Sequence, residues 1–217
     1  MTGRKAFIVG ATGLTGGYLL SELLESDYYD QVIALSRRPL DGHPCQKNLI
    51  GGYDDLDTLA GEIRGDDIYC CLGTTIKTAG SRENFRRVDY DYPIRVAELA
   101  FKNGAEQFLI ITAMGANSQS SVFYNRVKGE VEHRLKEIPY TALHIFRPAL
   151  LLGARKEKRM GETVAQGIFR VFNFLFVGPL RRYKAIRFEK VAHAMFSTAR
   201  RRIRGAHIHE SDELQDY

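Results

Sequence analysis

Tryptophan is absent from this chain, cysteine is scarce and no apolar run is long. Each shortage excludes something. The three cysteines are Cys45, Cys70 and Cys71. Neighbours on a strand point to opposite faces, so Cys70 and Cys71 are poor disulfide partners. No CxxC or HExxH pattern occurs, and the six histidines are scattered. His207 and His209 could share a strand face, but no further placed ligand accompanies them, so they read as structural and no metal is expected. This cysteine usage points to a reducing compartment. No segment reaches the roughly 20 apolar residues that a membrane span needs. The nearest, "GIFRVFNFLFVGPL", is shorter and carries Arg170. The opening "MTGRKAFIVGATGL" has a basic end, but its apolar stretch is short and broken by glycine, unlike a signal peptide. The expected location is cytoplasmic.

Charge is also modest. The net value is +5, from 31 basic and 26 acidic residues, with the excess in "ARKEKR", "RRYKAIR" and "ARRRIR" near the C-terminal end. A nucleic-acid surface would need this charge on one face with aromatic platforms between. A solvated basic surface is the simpler reading, and it would also attract an anionic cofactor. No nucleic-acid partner is expected.

What the chain does have is alternation. "KAFIVG" reads as a buried strand and "LTGGYLLSELLES" as a helix; "QVIALS" is the next strand. After "DDLDTLAGEIRG" comes "DIYCCLG", then a helical stretch from about Arg82 to Asn103. "QFLIITA" and "YTALHIF" bracket a further helix. Strands alternating with helices imply βαβ crossovers and a parallel sheet covered on both faces. Beyond Pro148 the pattern is less regular, with "VAHAMFSTARRR" its one clear helix. Residues 1–217 are therefore expected to form one α/β domain, with about 148–217 as a smaller substrate-side region.

Between the first strand and the first helix lies "GATGLTGG", with Gly10, Gly13 and Gly16 and, between them, Thr12 and Leu14. A glycine-rich loop in that position suits a dinucleotide. One glycine permits the turn, one lets the backbone approach the pyrophosphate, and one lets helix pack on strand. The phosphates then meet free N–H groups at the positive end of the helix dipole. The second strand ends "LSRRP". An NAD site usually has a carboxylate there for the ribose 2′-hydroxyl. Ser36, Arg37 and Arg38 suit a 2′-phosphate instead, so the expected cofactor is NADP(H).

"FYNRVKGE" places Tyr124 four residues before Lys128. Positions four apart share a helix face. A free phenol titrates near 10, and a nearby cation favours its ionised form, making it usable as an acid or base. Chance alone supplies about 0.5 such pairs in a chain of this composition, so the spacing gains meaning only from its place after a strand of a dinucleotide-type sheet. The alternative is a helix with one exposed Tyr and one exposed Lys.

Taken together, "GATGLTGG", "CCLGTT", "VDYDYPIRVAELA", "ITAMGAN", "FYNRVKGEVE" and "FRPALLLGAR" resemble the atypical short-chain dehydrogenase/reductases. The group that includes the Tat-interacting protein and its bacterial NAD(P)-binding homologues is the nearest match. The resemblance spans nearly the whole chain. It implies a Rossmann-like doubly wound parallel sheet of order 3-2-1-4-5-6, with a small C-terminal substrate-side region. It implies that Gly10, Gly13 and Gly16 form the phosphate loop and that Arg37 meets the 2′-phosphate. Leu72, Gly73 and Thr74 would lie along the cofactor, Tyr124 and Lys128 would be the catalytic pair, and Arg147–Pro148 would turn near the nicotinamide. One departure stands out. The wider family places Ser or Thr just after the fifth strand, where this chain has Thr112, Ala113 and Met114; Thr112, or Ser120 or Ser121 from the loop, would have to substitute. Asp54 is a weak candidate for an adenine-facing acid.

These residues lead to an NADPH-dependent oxidoreductase passing hydride to a small carbonyl-like substrate. Tyr124 would donate the proton, Lys128 would tune it and hold the ribose, and Thr112 would be the carbonyl donor. "AQGIFRVFNFLFVGPL" would close an apolar pocket. The competing reading, implied by the related group's protein interactions, is a regulatory NADPH-binding protein with a protein partner and little turnover. A nucleotide-sugar epimerase fits less well, because such enzymes need a larger C-terminal substrate domain.

Overall fold

A computed structural model describes residues 3–152 and 178–217. The apolar runs form strands buried on both faces, as parallel strands between helices must be. In chain order they are β1 (Lys5–Val9), β2 (Gln31–Ser36), β3 (Gln46–Ile50), β4 (Asp67–Cys70), β5 (Gln107–Ile111) and β6 (Ala142–Arg147). A two-residue pair, β7 (Leu151–Leu152) with β8 (Ile186–Arg187), stands apart, and β9 (Gly205–Glu210) follows. The sheet runs β3-β2-β1-β4-β5-β6-β9, with every neighbour parallel. This is a Rossmann-like, doubly wound sheet whose order reverses between β1 and β4.

Two strands extend the expected picture. Neither β3 ("QKNLI") nor β9 ("GAHIHE") reads as a strand from its pattern, and β9 adds a seventh to the expected six. Both are edge strands, each with one neighbour, so their residues stay partly exposed and need no apolar run.

Alternate residues face opposite layers. Phe7, Val9, Ile33, Leu35 and Phe108 point to one core, shared with Val96 and Ala97 of α4 (Tyr92–Lys102) and Val131 of α5 (Phe123–Leu135). Ala6, Ile8, Val32 and Leu109 point to the other, which is closed by α1 (Leu14–Glu25) and α6 (Phe188–Arg201). The leucines at 19, 20 and 23 form the buried stripe of α1, and Val191, Ala192, Met195 and Ala199 that of α6. Cys70 belongs to the first core and Cys71 packs against the second, and both thiols are free.

The helical stretch from Arg82 is not one helix. It comprises α3 (Arg82–Arg86), a π-helical segment (Arg87–Asp91) and α4. A π turn holds an extra residue and is frequent at functional sites. Here it turns Asp89 inward, while Arg87 and Asp91 face solvent.

Candidate functional site

The carboxyl ends of β1, β4 and β5 and the first turns of α1 and α5 converge on one edge of the sheet. Gly10, directly after β1, has φ +81°, and a Cβ on it would stand 2.5 Å from the backbone of Cys71. A Cβ on Gly16 would stand 2.2 Å from the Gly10 carbonyl oxygen. Both positions are therefore fixed by contact with backbone, which cannot step aside. Gly13 differs. It is exposed, it caps α1 without any side-chain hydrogen bond, and no acidic residue follows in the first turn. The N–H groups of that turn and their positive field are thus left to an anion. This cradle fits a dinucleotide pyrophosphate.

Tyr53 ties the loop down. Its hydroxyl accepts from Gly10 N–H (3.1 Å) and donates to the Leu35 carbonyl (3.4 Å), bridging the ends of β1 and β2. Burial pushes this phenol up to about 12. Nothing in the sequence marked Tyr53; only its place directly after "IGG" gives it this reach. Arg37 and Arg38 at the end of β2 are exposed, as is Thr12, and Leu14 opens α1 half-buried. Ser36 is buried and donates its hydroxyl to the Arg38 carbonyl (2.5 Å), so it shapes the turn that presents the arginines. Asp54 is exposed and accepts the Tyr92 hydroxyl (2.5 Å).

After β4 the chain runs Leu72, buried, then Gly73, exposed, then Thr74. Thr74 N–H donates to Asp89 Oδ2 (2.9 Å), and Lys128 Nζ lies 2.7 Å from Asp89 Oδ1. The Lys128 side chain is 5% exposed and that of Asp89 0%. Lys128 Nζ would be 3.9 Å from a Cβ on Gly73. Asp89 thus joins the strand end to the lysine, a role that no local motif signals. Burial disfavours the Lys128 charge, but Asp89 and then Tyr124 outweigh it, so the ammonium titrates above its usual value.

Tyr124 shares the helix face one turn earlier. Its ring packs on buried Phe85 at 5.4 Å, and its hydroxyl has no hydrogen-bond partner among the described residues. Gly129 seats the helix, since a Cβ there would meet Ser118 N at 2.1 Å. The loop after β5 can therefore lie directly on α5.

Thr112 sits elsewhere in the hydrogen-bond scheme. Its buried hydroxyl donates to Glu132 Oε1 (2.6 Å), which also accepts from Arg147 Nε (3.1 Å). Arg147 reaches Glu132 Oε2 (2.5 Å) and Glu210 as well. Arg147 and Thr112 are accordingly occupied in a buried strut between β5, α5 and β6. Pro148 is buried, its carbonyl accepting from Met114 N–H (3.0 Å). Ala113 is buried beside it. The segment "AQGIFRVFNFLFVGPL" lies almost wholly outside the described residues.

Among the described residues no cluster suits a metal ion, and no helix is long and apolar enough to cross a membrane. Residues 6–137 match the NAD dependent epimerase/dehydratase family, covering the glycine turn, Asp89, Tyr124 and Lys128. The chain belongs to that family. Protein HTATIP2 of Rattus norvegicus is 38% identical over 174 residues, 78% of this chain and 72% of the relative. The protein FMP52 of Debaryomyces hansenii, named mitochondrial, is 33% identical over 181 residues, 80% of this chain and 77% of the relative. The resemblance to the Tat-interacting-protein group thus holds across most of both chains. Among solved structures, MoeE5 in complex with UDP-glucose and NAD superimposes with TM-score 0.71 at 16% identity, covering 94% of this chain and 74% of that one. That likeness is one of fold. A family name that spans epimerases and dehydratases fixes an NAD(P)-binding scaffold and leaves the reaction to the site.

Proposed function

We propose that this family member is an NADPH-dependent oxidoreductase that reduces a small carbonyl-like substrate. The observation that carries this reading is the placement of Lys128. It is a buried ammonium beside Gly73 at the cofactor edge, one helical turn from a Tyr124 hydroxyl without a partner among the described residues.

Bound NADPH supplies hydride; the remaining work falls to the chain. The turn at Gly10, Gly13 and Gly16 receives the pyrophosphate on backbone N–H groups. Arg37, with Arg38, provides the charge that a 2′-phosphate requires and that a ribose hydroxyl does not. Lys128 is placed to hold ribose hydroxyls, and Tyr124 donates its proton to the substrate oxygen as negative charge builds there. One relative is named mitochondrial, so the cytoplasmic location expected from the sequence is not carried over.

One observation favours the second reading, a cofactor-binding regulatory protein with a protein partner and little turnover. The Thr112 hydroxyl is committed to Glu132, and Ala113 occupies the position where a further donor would stand. Carbonyl stabilisation then depends on Tyr124 alone or on Ser120 or Ser121 from the loop.

Tyr124→Phe keeps the ring on Phe85 and removes only the transferable proton. NADPH affinity should stay nearly unchanged while turnover falls by roughly 10²–10⁴-fold. The assay is a panel of carbonyl substrates followed by NADPH absorbance, with cofactor affinity measured calorimetrically on the same preparations. A Tyr124→Phe variant that works at the wild-type rate would remove the catalytic role. Tight NADPH binding with no turnover across the panel would favour the regulatory reading.

A further inference from the structure

We infer that Asp89 is a positioning residue that sets the electrostatics of the Tyr124–Lys128 pair, holding the ammonium in place and cancelling much of its field at the phenol. This rests on the reading of Tyr124 and Lys128 as the acid and its cation.

A carboxylate buried as completely as Asp89 persists only when paired. Its partners come from two directions, the Thr74 N–H and Lys128 Nζ. Asp89 lies in the π-helical segment Arg87–Asp91, four residues after buried Phe85 and four before buried Pro93, and so continues their inner face. Asp91, two residues on in "VDYDYP", falls on the opposite face and is exposed.

Few other charges bear on this corner. From β4, Cys70 faces the pair, but burial pushes its thiol up to about 12 and it stays neutral. From α3 and α5, Arg86 and Glu130 pair with each other near the surface, with Arg126 3.9 Å from Glu130. Arg86 also lies over the Tyr90 ring. Those charges largely compensate one another in partly exposed positions. The balance felt by Tyr124 is decided by Lys128, which stabilises the phenolate, and by Asp89, which opposes that effect from 2.7 Å beyond the ammonium.

The consequence is a resting site whose cation is held in a near-neutral pair. The Tyr124 phenol therefore faces an ammonium whose charge Asp89 largely offsets. Asp89→Asn keeps the shape and an acceptor for Thr74 N–H while deleting the charge. It leaves Lys128 uncompensated.

The test uses the full chain labelled at tyrosine Cζ with ¹³C, titrated by NMR without cofactor or substrate. The resonance missing from Tyr124→Phe identifies Tyr124. In Asp89→Asn its titration midpoint should move down by about one pH unit or more. An unchanged or higher midpoint in a folded variant overturns the inference. Should Asp89→Asn not fold, Asp89→Ser makes the same comparison; failure of both to fold would make Asp89 a scaffold residue and equally overturn it. The readout involves no turnover. Loss of the catalytic reading, seen when Tyr124→Phe works normally, is thus distinguishable from loss of this one.

Discussion

Two aspartates are buried at opposite ends of the sheet, and they are treated very differently. Asp67, at the start of β4, accepts hydrogen bonds from Arg4 on both oxygens (2.9 and 2.8 Å), from Gln107 (2.7 Å) and from Tyr29 (2.6 Å). Tyr29 in turn meets the Tyr69 hydroxyl at 2.8 Å. Burial still raises Asp67 above the usual carboxylate range, the donors offsetting part of that. Asp89 has one backbone N–H and one lysine. A saturated carboxylate is a fastening: every lone pair is used and nothing is left to respond to a ligand. A sparsely served carboxylate beside exposed Gly73 retains electrostatic influence over whatever arrives. The amino ends of the strands hold the fold together, and the carboxyl ends carry the candidate site.

The contrast is open to direct attack. The largest effect should come from Asp67→Ala, which removes the acceptor that Arg4, Tyr29 and Gln107 share. Removing one partner of such a buried set costs about 3–5 kcal/mol. For a chain of this size that lowers the melting temperature on the order of 10 °C. Cofactor affinity of the folded fraction should be unaffected. A melt indistinguishable from wild type would show that the amino-end network is ornamental, and the comparison between the aspartates would collapse.

An intermediate effect is expected at the cofactor edge. Arg37→Ala should weaken NADPH binding by about 1.5–3 kcal/mol, the contribution of a charge-assisted phosphate contact. NADH binding should hardly change. Calorimetric titration of both cofactors decides it, and equal affinities in the unmodified protein would refute the 2′-phosphate assignment.

The smallest effect concerns the sheet's far edge. His144 of β6 stacks on His207 of β9, and its Nδ1 lies 3.1 Å from His209 Nε2. Burial, followed by the neighbouring imidazoles, lowers both His144 and His209 to about 4 from 6.5. The unfolded chain therefore takes up protons between about pH 6.5 and 4 that the fold does not. Stability should fall as pH drops through that window and level off below it. His144 is buried while solvent reaches His209 in part and screens its share, so the combined loss is about 1–2 kcal/mol. Melting curves at pH 7 and pH 4.5 should diverge less for His209→Gln than for wild type. Equal divergence would mean that carboxylates alone carry the acid sensitivity.

Much of this molecule was legible in one dimension. The strands β1, β2, β4, β5 and β6 are buried on both faces, so their apolar runs are unbroken. The glycine turn is legible for a similar reason, since backbone contact at Gly10 and Gly16 admits no side chain. Tyr124 and Lys128 could be paired by spacing because an α-helix has a fixed period. What escaped was whatever depended on partners far along the chain. The edge strands β3 and β9 gain regular structure from a single neighbour, and their half-polar sequences conceal it. Asp89 lies on the buried face of Phe85 and Pro93, but it escaped because nothing local announces that Lys128, thirty-nine residues on, pairs with it. Thr112 looked like a free hydroxyl, since nothing local announces that Glu132 lies twenty residues on and claims its proton.

The pairing of the first helix with the last long one has a consequence for biosynthesis. Glu22 on α1 meets His193 on α6 across 171 residues, and Tyr18 packs edge-on against Phe188. At a translation rate of about 5–20 residues per second, α1 waits roughly 10–30 s after leaving the ribosome for the helix that covers it. During that interval the strip from Leu19 to Leu23 has no α6 to shield it. A nascent chain stalled before residue 188 should therefore be a better chaperone client than the finished protein.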